Sequence, residues 1–495
     1  MSLISISNLT FSYEGSFDNI FENVSFRIDT DWKLGFTGRN GRGKTTFLNL
    51  LLGKYEHRGT IAAGVNFEYF PFEVTDKSRG TLEIAQEIAG ECPQWELLRE
   101  LSVLEVAEDA LYRPFSTLSN GEQTKVLLAA LFLRENSFLL IDEPTNHLDR
   151  AARKLVSDYL NRKKGFILVS HDRTFLDSCV DHILSINKTN IEIQKGNFSS
   201  WWKNKQMQDE FELAENDRLK KDIGRLKSAA RRTSQWADQV ENKKIGFTPY
   251  ETEKNIGRRP VCGAKSKKMM QRSKSIQNRQ EAAIEEKSKL LKNIEETESL
   301  KLAPLEYHAK RLVSLEKIAL FYGERKVADN ISFSVEQGDR IAICGRNGAG
   351  KSSLLKLICG ENISYEGILQ RGSNLVISRV PQDASFLKGG LADFAEENGL
   401  DETLFKAILR KLDFSRAQFE KDMGDYSGGQ KKKVLLAKSL CEKAHLYVWD
   451  EPLNYIDVFS RMQIERLLQS CRSTVVFVEH DRAFADAVAT KTVFL

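Results

Sequence analysis

The chain has 495 residues, of which 41% are hydrophobic and 29% charged, and its formal net charge is +4 at pH 7. No stretch approaches the roughly 20 continuous apolar residues of a membrane-spanning helix, and the first residues lack the apolar core of a signal peptide, so we expect a cytoplasmic protein. The seven cysteines are scattered without a C-x-x-C pair, which fits reduced thiols and argues against zinc or iron–sulfur sites.

A glycine-rich loop follows the apolar strand predicted at 32–37. Residues 38–45 read GRNGRGKT and match the pattern G-x-x-x-x-G-K-[ST], and apolar residues then recur at helical spacing. In this pattern glycines turn backbone N–H groups toward phosphate oxygens, the lysine reaches the β- and γ-phosphates, and the hydroxyl coordinates Mg²⁺. A single match can be a chance glycine-rich loop, but the strand and helix around this one are the context that the motif requires.

Three further signatures follow the loop in the first half of the chain. Residues 118–123 read LSNGEQ, an apolar strand leads into Asp142 and Glu143, and a second apolar strand leads into His171. Paired acids at a strand end suit the binding of Mg²⁺ and the activation of water. A lone histidine, by contrast, is more often structural than functional.

A charged segment, 203–304, separates the two halves of the chain. A narrow apolar stripe at helical spacing runs through each of two stretches, 203–242 and 276–294. Prolines and glycines interrupt the residues between them, at 248–263. The pattern predicts a long antiparallel helical hairpin that reaches about 60 Å.

The tip of this hairpin is basic. Residues 243–274 contain ten lysines and arginines, opposed only by Glu251 and Glu253. A solvated helix end, or a spacer that merely lets the two halves pair, would explain such a run. We favour contact with a polyanion because of the nucleotide-binding motifs in the rest of the chain. A spacer would not need a long arm whose basic tip carries apolar and aromatic side chains. The candidate tip residues are Lys244, Ile245, Phe247, Tyr250, Arg258, Arg259, Lys267 and Lys268.

The motifs of the first half recur in the second half in the same order. The loop at 345–352 (GRNGAGKS) follows an apolar strand at 340–344, and then come YSGGQ at 426–430, the acids Asp450 and Glu451, and His480. The offset between matched positions stays within 307 to 309 residues, which indicates a tandem duplication of one domain. Two loops in the same context predict two nucleoside triphosphate sites, and the recurrence of the histidine favours a functional role for it.

Together these motifs resemble the ATP-binding-cassette (ABC) ATPases over most of the chain. The sequence EPTNHLD at 143–149 is similar to the ABC-F branch of soluble, translation-associated members, and the second copy departs from it as EPLNYID at 451–457. That departure, with the linker, resembles the Lsa-type antibiotic-resistance proteins of this branch. The resemblance implies an α/β fold with two tandem P-loop ABC ATPase domains, at 1–202 and 305–495, joined by a long antiparallel helical hairpin at 203–304.

The resemblance also implies that the two cassettes of a monomeric chain pair head to tail, so that each nucleotide lies between the loop of one cassette and the signature of the other. The expected cofactors are ATP and Mg²⁺. The expected metal ligands are Thr45, Asp142, Ser352, Asp450 and Gln382. The expected catalytic residues are Glu143 and Glu451, which act on the attacking water, and His171 and His480, which contact the γ-phosphate. The expected ATP-binding residues are Tyr13, Gly38, Asn40, Gly41, Gly43, Lys44, Thr45, Thr46, Ser119, Gly121, Tyr322, Gly345, Asn347, Gly348, Gly350, Lys351, Ser352, Ser353, Gln382, Ser427 and Gly429.

Several positions leave alternatives open or depart from the family pattern. Tyr13 and Tyr322 resemble the family's adenine-stacking aromatic, although each could equally be a core residue. Phe72 stands where the second copy has Gln382, and Asn120 replaces a signature glycine. Because asparagine tolerates a left-handed backbone better than most residues, we expect the signature loop to persist. One departure in each composite site predicts unequal rates of hydrolysis.

The resemblance implies an ATPase that binds the ribosome, with the hairpin in the tRNA exit region, near large-subunit rRNA and peptidyl-site tRNA. There it would dislodge lincosamides, pleuromutilins and streptogramin A compounds from the peptidyl-transferase centre. A housekeeping translation factor of the same branch, acting on stalled ribosomes, is the first alternative. The ATP-hydrolysing part of a membrane exporter is the second, and the fused cassettes and long hairpin speak against it.

Overall fold

The computed structural model describes residues 3–13, 19–146, 148–187, 190–245, 271, 274–276, 278–279, 300–323, 325–346 and 348–495. The chain divides into two compact units, Met1–Trp201 with Thr297–Leu495, and Trp202–Glu296. The first unit holds both halves of the repeat and the second holds the linker. Of the eight candidate tip residues, the structure describes only the backbone of Lys244 and Ile245, and the other six lie outside the described residues.

The first cassette contains a mainly parallel sheet and a smaller antiparallel one. Its strands are β1 (Leu3–Phe11), β2 (Phe21–Asp29), β3 (Lys33–Thr37), β4 (Arg58–Ala62), β5 (Asn66–Phe70), β6 (Ser137–Asp142), β7 (Phe166–Val169), β8 (His182–Asn187) and β9 (Asn190–Lys195). Over the described residues the larger sheet has the order β5-β6-β7-β3-β8-β9, parallel except for its last pair, and the smaller sheet has the order β2-β1-β4. The central strands are buried on both faces, so they read as continuous apolar runs.

Polar side chains cap the helices that follow the motifs of the first cassette. The helices are α1 (Lys44–Leu51), α2 (Thr81–Ala89), α3 (Gln94–Val103), α4 (Glu108–Leu111), α5 (Asn120–Leu131), α6 (Arg150–Asn161) and α7 (Arg173–Cys179). Ser119 begins α5 in a capping box with Glu122. Asp149, the last residue of the EPTNHLD sequence, caps α6, and Asp172 caps α7. The signature residues therefore lie at helix N-termini.

The second cassette repeats this topology. Its strands are β10 (Arg311–Tyr322), β11 (Arg325–Glu336), β12 (Arg340–Cys344), β13 (Ser364–Arg371), β14 (Ile377–Val380), β15 (Leu446–Asp450), β16 (Val475–Val478) and β17 (Lys491–Phe494). Over the described residues the sheet orders are β14-β15-β16-β12-β17 and β11-β10-β13, which match those of the first cassette strand for strand apart from β9. The structure thus confirms the two tandem cassettes that the sequence predicts.

The linker begins with one long helix. α8 (Phe198–Ile245) has 48 residues, which corresponds to roughly 72 Å. It starts earlier than the predicted 203 because Phe198 and Trp201 are buried and pack with their ring centroids 5.4 Å apart. Of the second predicted helix, residues 271, 274–276 and 278–279 are described and are helical. Among the helices of the described residues, none is long and apolar enough to cross a membrane.

The helices of the second cassette complete its layers. They are α9 (Lys351–Cys359), α10 (Leu391–Glu397), α11 (Glu402–Lys411), α12 (Gly428–Cys441), α13 (Val458–Ser470) and α14 (Arg482–Val488). Each cassette has its own apolar core, in which Phe36 and Phe47 are fully buried in the first cassette and Trp449 and Phe477 in the second. These cores fix the central strands, so the polar residues at the carboxyl ends of those strands meet at one edge of each sheet.

Candidate nucleotide sites

Each glycine-rich loop leads directly into a helix that has no side-chain cap. Gly43 and Gly350 are the N-caps of α1 and α9, with φ values of 91° and 86° in the left-handed region. At Gly43 a Cβ atom would lie 2.6 Å from the side chain of Ile20, so glycine is required there. The first N–H groups of both helices lack a capping side chain, which is the arrangement that binds phosphate at helix N-termini.

The loop lysines lie across their own loops. The Nζ of Lys44 donates to the carbonyl of Gly38 at 2.7 Å, and the Nζ of Lys351 donates to the carbonyl of Gly345 at 2.9 Å. Burial lowers the pKa of both amines, while nearby carboxylates oppose this shift. Both lysines are therefore held against their own loops, the position from which the lysine of this motif reaches phosphate oxygens.

An aspartate at a strand end faces the loop hydroxyl in each cassette. The Oγ1 of Thr45 donates to the Oδ2 of Asp142 at 3.3 Å, and Ser352 is hydrogen-bonded to Asp450. Burial raises the pKa of both aspartates. Within the described part of the chain, the Oδ1 of Asp450 is buried with no hydrogen-bond partner. A hydroxyl beside a carboxylate with an unpartnered oxygen fits a hard divalent cation such as Mg²⁺.

Strand register brings each glutamate to its histidine. Asp142 on β6 pairs with Val169 on β7, and Asp450 on β15 pairs with Val478 on β16, so the residues that follow these pairs converge. The glutamates that follow the aspartates have a left-handed backbone, with φ of 51° at Glu143 and 46° at Glu451. A non-glycine residue held in this region is strained, and such strain clusters at functional sites.

The two glutamates differ in how their carboxylates are held. The Nε2 of His480 is hydrogen-bonded to the Oε1 of Glu451 at 3.3 Å, and the Nδ2 of Asn454 donates to its Oε2 at 2.6 Å. Burial alone would raise the pKa of Glu451, but hydrogen bonds from His480 and Gln382 hold that pKa below its usual value. The carboxylate form of Glu451 is therefore stabilised.

Glu143 is held differently, by a backbone hydrogen bond from His171 rather than by one from the imidazole of that residue. The Nε2 of His171 lies 3.3 Å from the Oε1 of Glu143 without hydrogen-bond geometry, and that oxygen is buried with no partner among the residues described. Burial and the charge of Asp142 raise the pKa of Glu143 to about 8. Burial also lowers the pKa of His171, which favours a neutral imidazole. The sequence predicts unequal rates of hydrolysis at the two sites. The different hydrogen bonding of Glu143 and Glu451 identifies a pair of residues at which the two sites differ.

Each loop shares a cavity with the signature of the other cassette. The first cavity, of about 490 Å³, contains these predicted residues: Asn40, Gly41, Lys44, Thr45, Asp142, Glu143, His171, Ser427 and Gly429. The second cavity, of about 1090 Å³, contains these: Ser119, Gly121, Tyr322, Gly348, Gly350, Lys351, Ser352, Ser353, Gln382, Glu451 and His480. Among the described candidates, six line neither cavity: Tyr13, Gly38, Gly43, Thr46, Gly345 and Asp450. Asn347 lies outside the described residues.

The two tyrosines are not core residues. Tyr13 is 43% exposed and Tyr322 is 55% exposed, which excludes the core alternative. The hydroxyl of Tyr13 is hydrogen-bonded to Thr46 at 2.7 Å, and that of Tyr322 to Ser353 at 2.9 Å. Both rings are thereby fixed at the start of the helix that follows the loop. Stacking on adenine stays a prediction.

Two features of the first cavity escape the sequence motifs. The hydroxyl of Tyr69 donates to the Oδ2 of Asp142 at 3.0 Å, in the cassette that carries Phe72 in place of glutamine. The carbonyl of Tyr455 accepts a hydrogen bond of 3.0 Å from the Nδ2 of Asn40 in the other cassette. Tyr69 lies three residues before Phe72, and Tyr455 lies inside the EPLNYID sequence at 451–457, but the motif patterns assign neither residue a role.

The expectation that Asn120 would have a left-handed backbone was wrong. Asn120 is the first residue of helix α5, next to the N-cap Ser119, and among the described residues it is not one of those with positive φ. At the matched Gly428 an added Cβ would come no closer than 3.5 Å to Tyr455, which is ordinary contact. The position therefore has a helical backbone and room for a side chain, and it needs no left-handed tolerance.

A family model described as "ABC transporter" matches residues 21–146 and 328–454, slightly more than half of the chain. The chain is 28% identical over 494 residues to the ribosome protection protein VmlR of Bacillus subtilis, covering 98% of this chain and 85% of that protein. It is 28% identical to the ATP-binding protein Uup of Caulobacter vibrioides, with 96% and 74% covered. It is 26% identical to the energy-dependent translational throttle protein EttA of Haemophilus influenzae, with 95% and 88% covered.

The fold also matches solved structures. The archaeal ribosome recycling factor aABCE1, in a crystal structure of its complex with the ribosomal stalk protein aP1, has a TM-score of 0.63 at 19% identity, with 98% of this chain and 87% of that one covered. The structure of the RNase-L inhibitor gives a TM-score of 0.62 at 19% identity, with 99% and 87% covered. The two loops, the two signatures and the two acid pairs lie on tandem cassettes that the family model matches. The chain is therefore an ATPase of the ABC family and belongs to its ABC-F branch.

Proposed function

We propose that this protein is a cytoplasmic ATPase that binds the ribosome and protects it from antibiotics of the peptidyl-transferase centre. The expected drugs are lincosamides, pleuromutilins and streptogramin A compounds. The observation that carries the proposal is the similarity to a ribosome protection protein over 98% of the chain, so that the alignment includes the linker as well as the cassettes.

The ATP chemistry is assigned to residues of both cassettes. One site combines Lys44, Thr45, Asp142, Glu143 and His171 with Ser427 and Gly429, and the other combines Lys351, Ser352, Asp450, Glu451, His480 and Gln382 with Ser119 and Gly121. Bound Mg²⁺, held by the aspartates and loop hydroxyls, would neutralise charge on the phosphates. The lysines and loop N–H groups bind the phosphates, and the glutamates accept the proton of the attacking water.

The linker is the proposed effector. α8 alone measures roughly 72 Å, and the basic run at 243–274 supplies the charge that binds phosphates of large-subunit rRNA and tRNA. Phosphate contacts set affinity and register, whereas the apolar and aromatic tip residues Ile245, Phe247 and Tyr250 are proposed to act at the drug site.

A housekeeping translation factor is the second candidate. The similarity to the translational throttle protein EttA, over 95% of this chain, supports it to a comparable degree. The two functions differ in their dependence on drugs, since a translation factor changes growth or translation whether or not an antibiotic is present.

Expression in a susceptible bacterial host, scored against a panel of ribosome-targeting drugs, separates the two. The proposal expects raised inhibitory concentrations for drugs of the peptidyl-transferase centre and unchanged values for drugs that act on the small subunit. Unchanged values for every drug would contradict protection and favour the translation factor. Co-sedimentation with ribosomes, compared with the membrane fraction, tests the exporter alternative in the same cells.

A further inference from the structure

An ion pair ties the loop of the first cassette to the signature side of the second. Arg39 follows the first glycine of its loop, and its guanidinium is paired with the carboxylate of Asp413, which follows helix α11. The same guanidinium lies 5.7 Å from the centroid of the Phe459 ring. Together with the hydrogen bond from Asn40 to the Tyr455 carbonyl, this ion pair joins the two cassettes beside the smaller cavity.

The duplication places a second arginine and acid at the matched positions. Arg346 follows the first glycine of its own loop, and its carbonyl accepts a hydrogen bond of 2.9 Å from Lys351, as that of Arg39 does from Lys44 at 3.2 Å. The two arginines are therefore held by equivalent backbone contacts.

Glu105 is the match for Asp413. The two residues end helices α3 and α11 with left-handed φ values of 50° and 63°. Each backbone N–H donates to the carbonyl three residues earlier at 3.0 Å, and the next residue, Val106 or Phe414, is buried. Glu105 and Asp413 therefore present their carboxylates from the same turn, at the same distance in sequence from their signatures.

The second pair is not joined. Arg346 and Glu105 are both exposed, and in the described part of the chain no ion pair connects them. The cavity on their side measures about 1090 Å³, against about 490 Å³ on the side of Arg39 and Asp413. The positions matched to Arg39 and Asp413 therefore carry the same two charges, but among the described residues they are not in contact with each other.

We propose that Arg346 and Glu105 form the second inter-cassette ion pair when the wider site closes on ATP, and that they act as positioning residues for that site. Arg346 and Glu105 carry opposite charges at the positions that the duplication relates to the joined pair of Arg39 and Asp413, and these charges supply the attraction as the cassettes approach. The inference rests on ATP binding by the cassettes and is independent of the ribosome and of drugs.

A charge swap tests the pair on the purified full-length chain. Glu105→Arg, Arg346→Glu and the double swap are made in a Glu143→Gln, Glu451→Gln background, and melting is followed with increasing Mg·ATP. Glu108→Arg, an exposed position three residues away, is the matched control for an added positive charge.

Without ATP all variants should melt within about 2 °C of the parent, because the changed side chains are exposed. Each single change should raise the Mg·ATP concentration needed for half of the thermal shift by about tenfold, since like charges then meet on closure. The double swap should restore the parent value, and Glu108→Arg should not alter it. A double swap that is no better than the single changes, or single changes without effect, would overturn the proposal.

Discussion

The imidazole of His480 is hydrogen-bonded to Glu451 at 3.3 Å, whereas the imidazole of the equivalent His171 approaches Glu143 at the same distance without a hydrogen bond, and His171 bonds that glutamate through its backbone instead. Glu451 is also held by Asn454 and Gln382, and the first cassette has Phe72 in the place of that glutamine. The chemistry of the two sites therefore differs at the residue proposed to activate water.

Replacing the glutamates one at a time should give unequal rates. Glu451→Gln should lower ATP turnover more than Glu143→Gln, because the carboxylate of Glu451 is already held in its charged form by hydrogen bonds. Steady-state phosphate release from the purified chain is the measurement. Equal residual rates would show that the asymmetry around the glutamates has no kinetic effect.

Replacing both glutamates should remove the proposed base while leaving the shape of both sites. We expect turnover to fall by roughly a hundredfold or more, as for the loss of a general base, while ATP still binds. The double variant should then stay closed on ATP and co-sediment with ribosomes, and omission of ATP is the control. Normal turnover in this variant would disprove the assignment of both glutamates.

The signature glycine of the second cassette leaves no room for a side chain. At Gly429 a Cβ atom would lie 2.5 Å from the carbonyl oxygen of Tyr455, which accepts the hydrogen bond from Asn40. Gly429→Ala should therefore disturb the site that contains Glu143. Its neighbour Gly428 is the matched control, because a Cβ there would come no closer than 3.5 Å to Tyr455.

Because Gly429 shares a cavity with Glu143 and not with Glu451, the effect of Gly429→Ala should depend on which glutamate is left intact. Gly429→Ala should lower turnover further in a Glu451→Gln background, where the Glu143 site is the one left, and should have little effect in a Glu143→Gln background. Gly428→Ala should stay close to its parent in both backgrounds. Equal losses from Gly429→Ala in the two backgrounds would contradict a site shared between Glu143 and Gly429.

The sequence predicts much of this fold because each strand, loop and helix start has a local pattern, and the duplication repeats these patterns in the same order. The strand at 340–344 has the predicted bounds, and the strand predicted at 32–37 begins at Lys33 instead. Contacts across the cassette interface, such as Arg39 with Asp413, join residues far apart in sequence, and no periodicity marks them. The left-handed backbone expected at Asn120 is absent because Ser119 caps a helix that begins at Asn120, so this position has a helical backbone.

Two kinds of substitution in the linker tip should separate ribosome binding from the effect on drug resistance. Neutralising Arg258, Arg259, Lys267 and Lys268 should weaken ribosome binding, with a reduced dependence on salt concentration, because fewer counterions are released. Changes at Phe247 or Tyr250 should instead alter which drugs are resisted. Binding isotherms at several salt concentrations check the first statement, and a drug panel checks the second. A uniform loss of binding from both kinds of variant would contradict separate roles.

Drug occupancy on purified ribosomes is the most direct test of protection. Ribosomes carrying a labelled lincosamide are mixed with ATP and either the full chain or a variant in which a short glycine-containing turn replaces residues 244–260. The account predicts that the full chain releases the drug and that the deletion variant leaves it bound while keeping its basal ATPase activity. Equal drug release by the two proteins would contradict the tip as the effector, and retention of the drug with both would contradict protection itself.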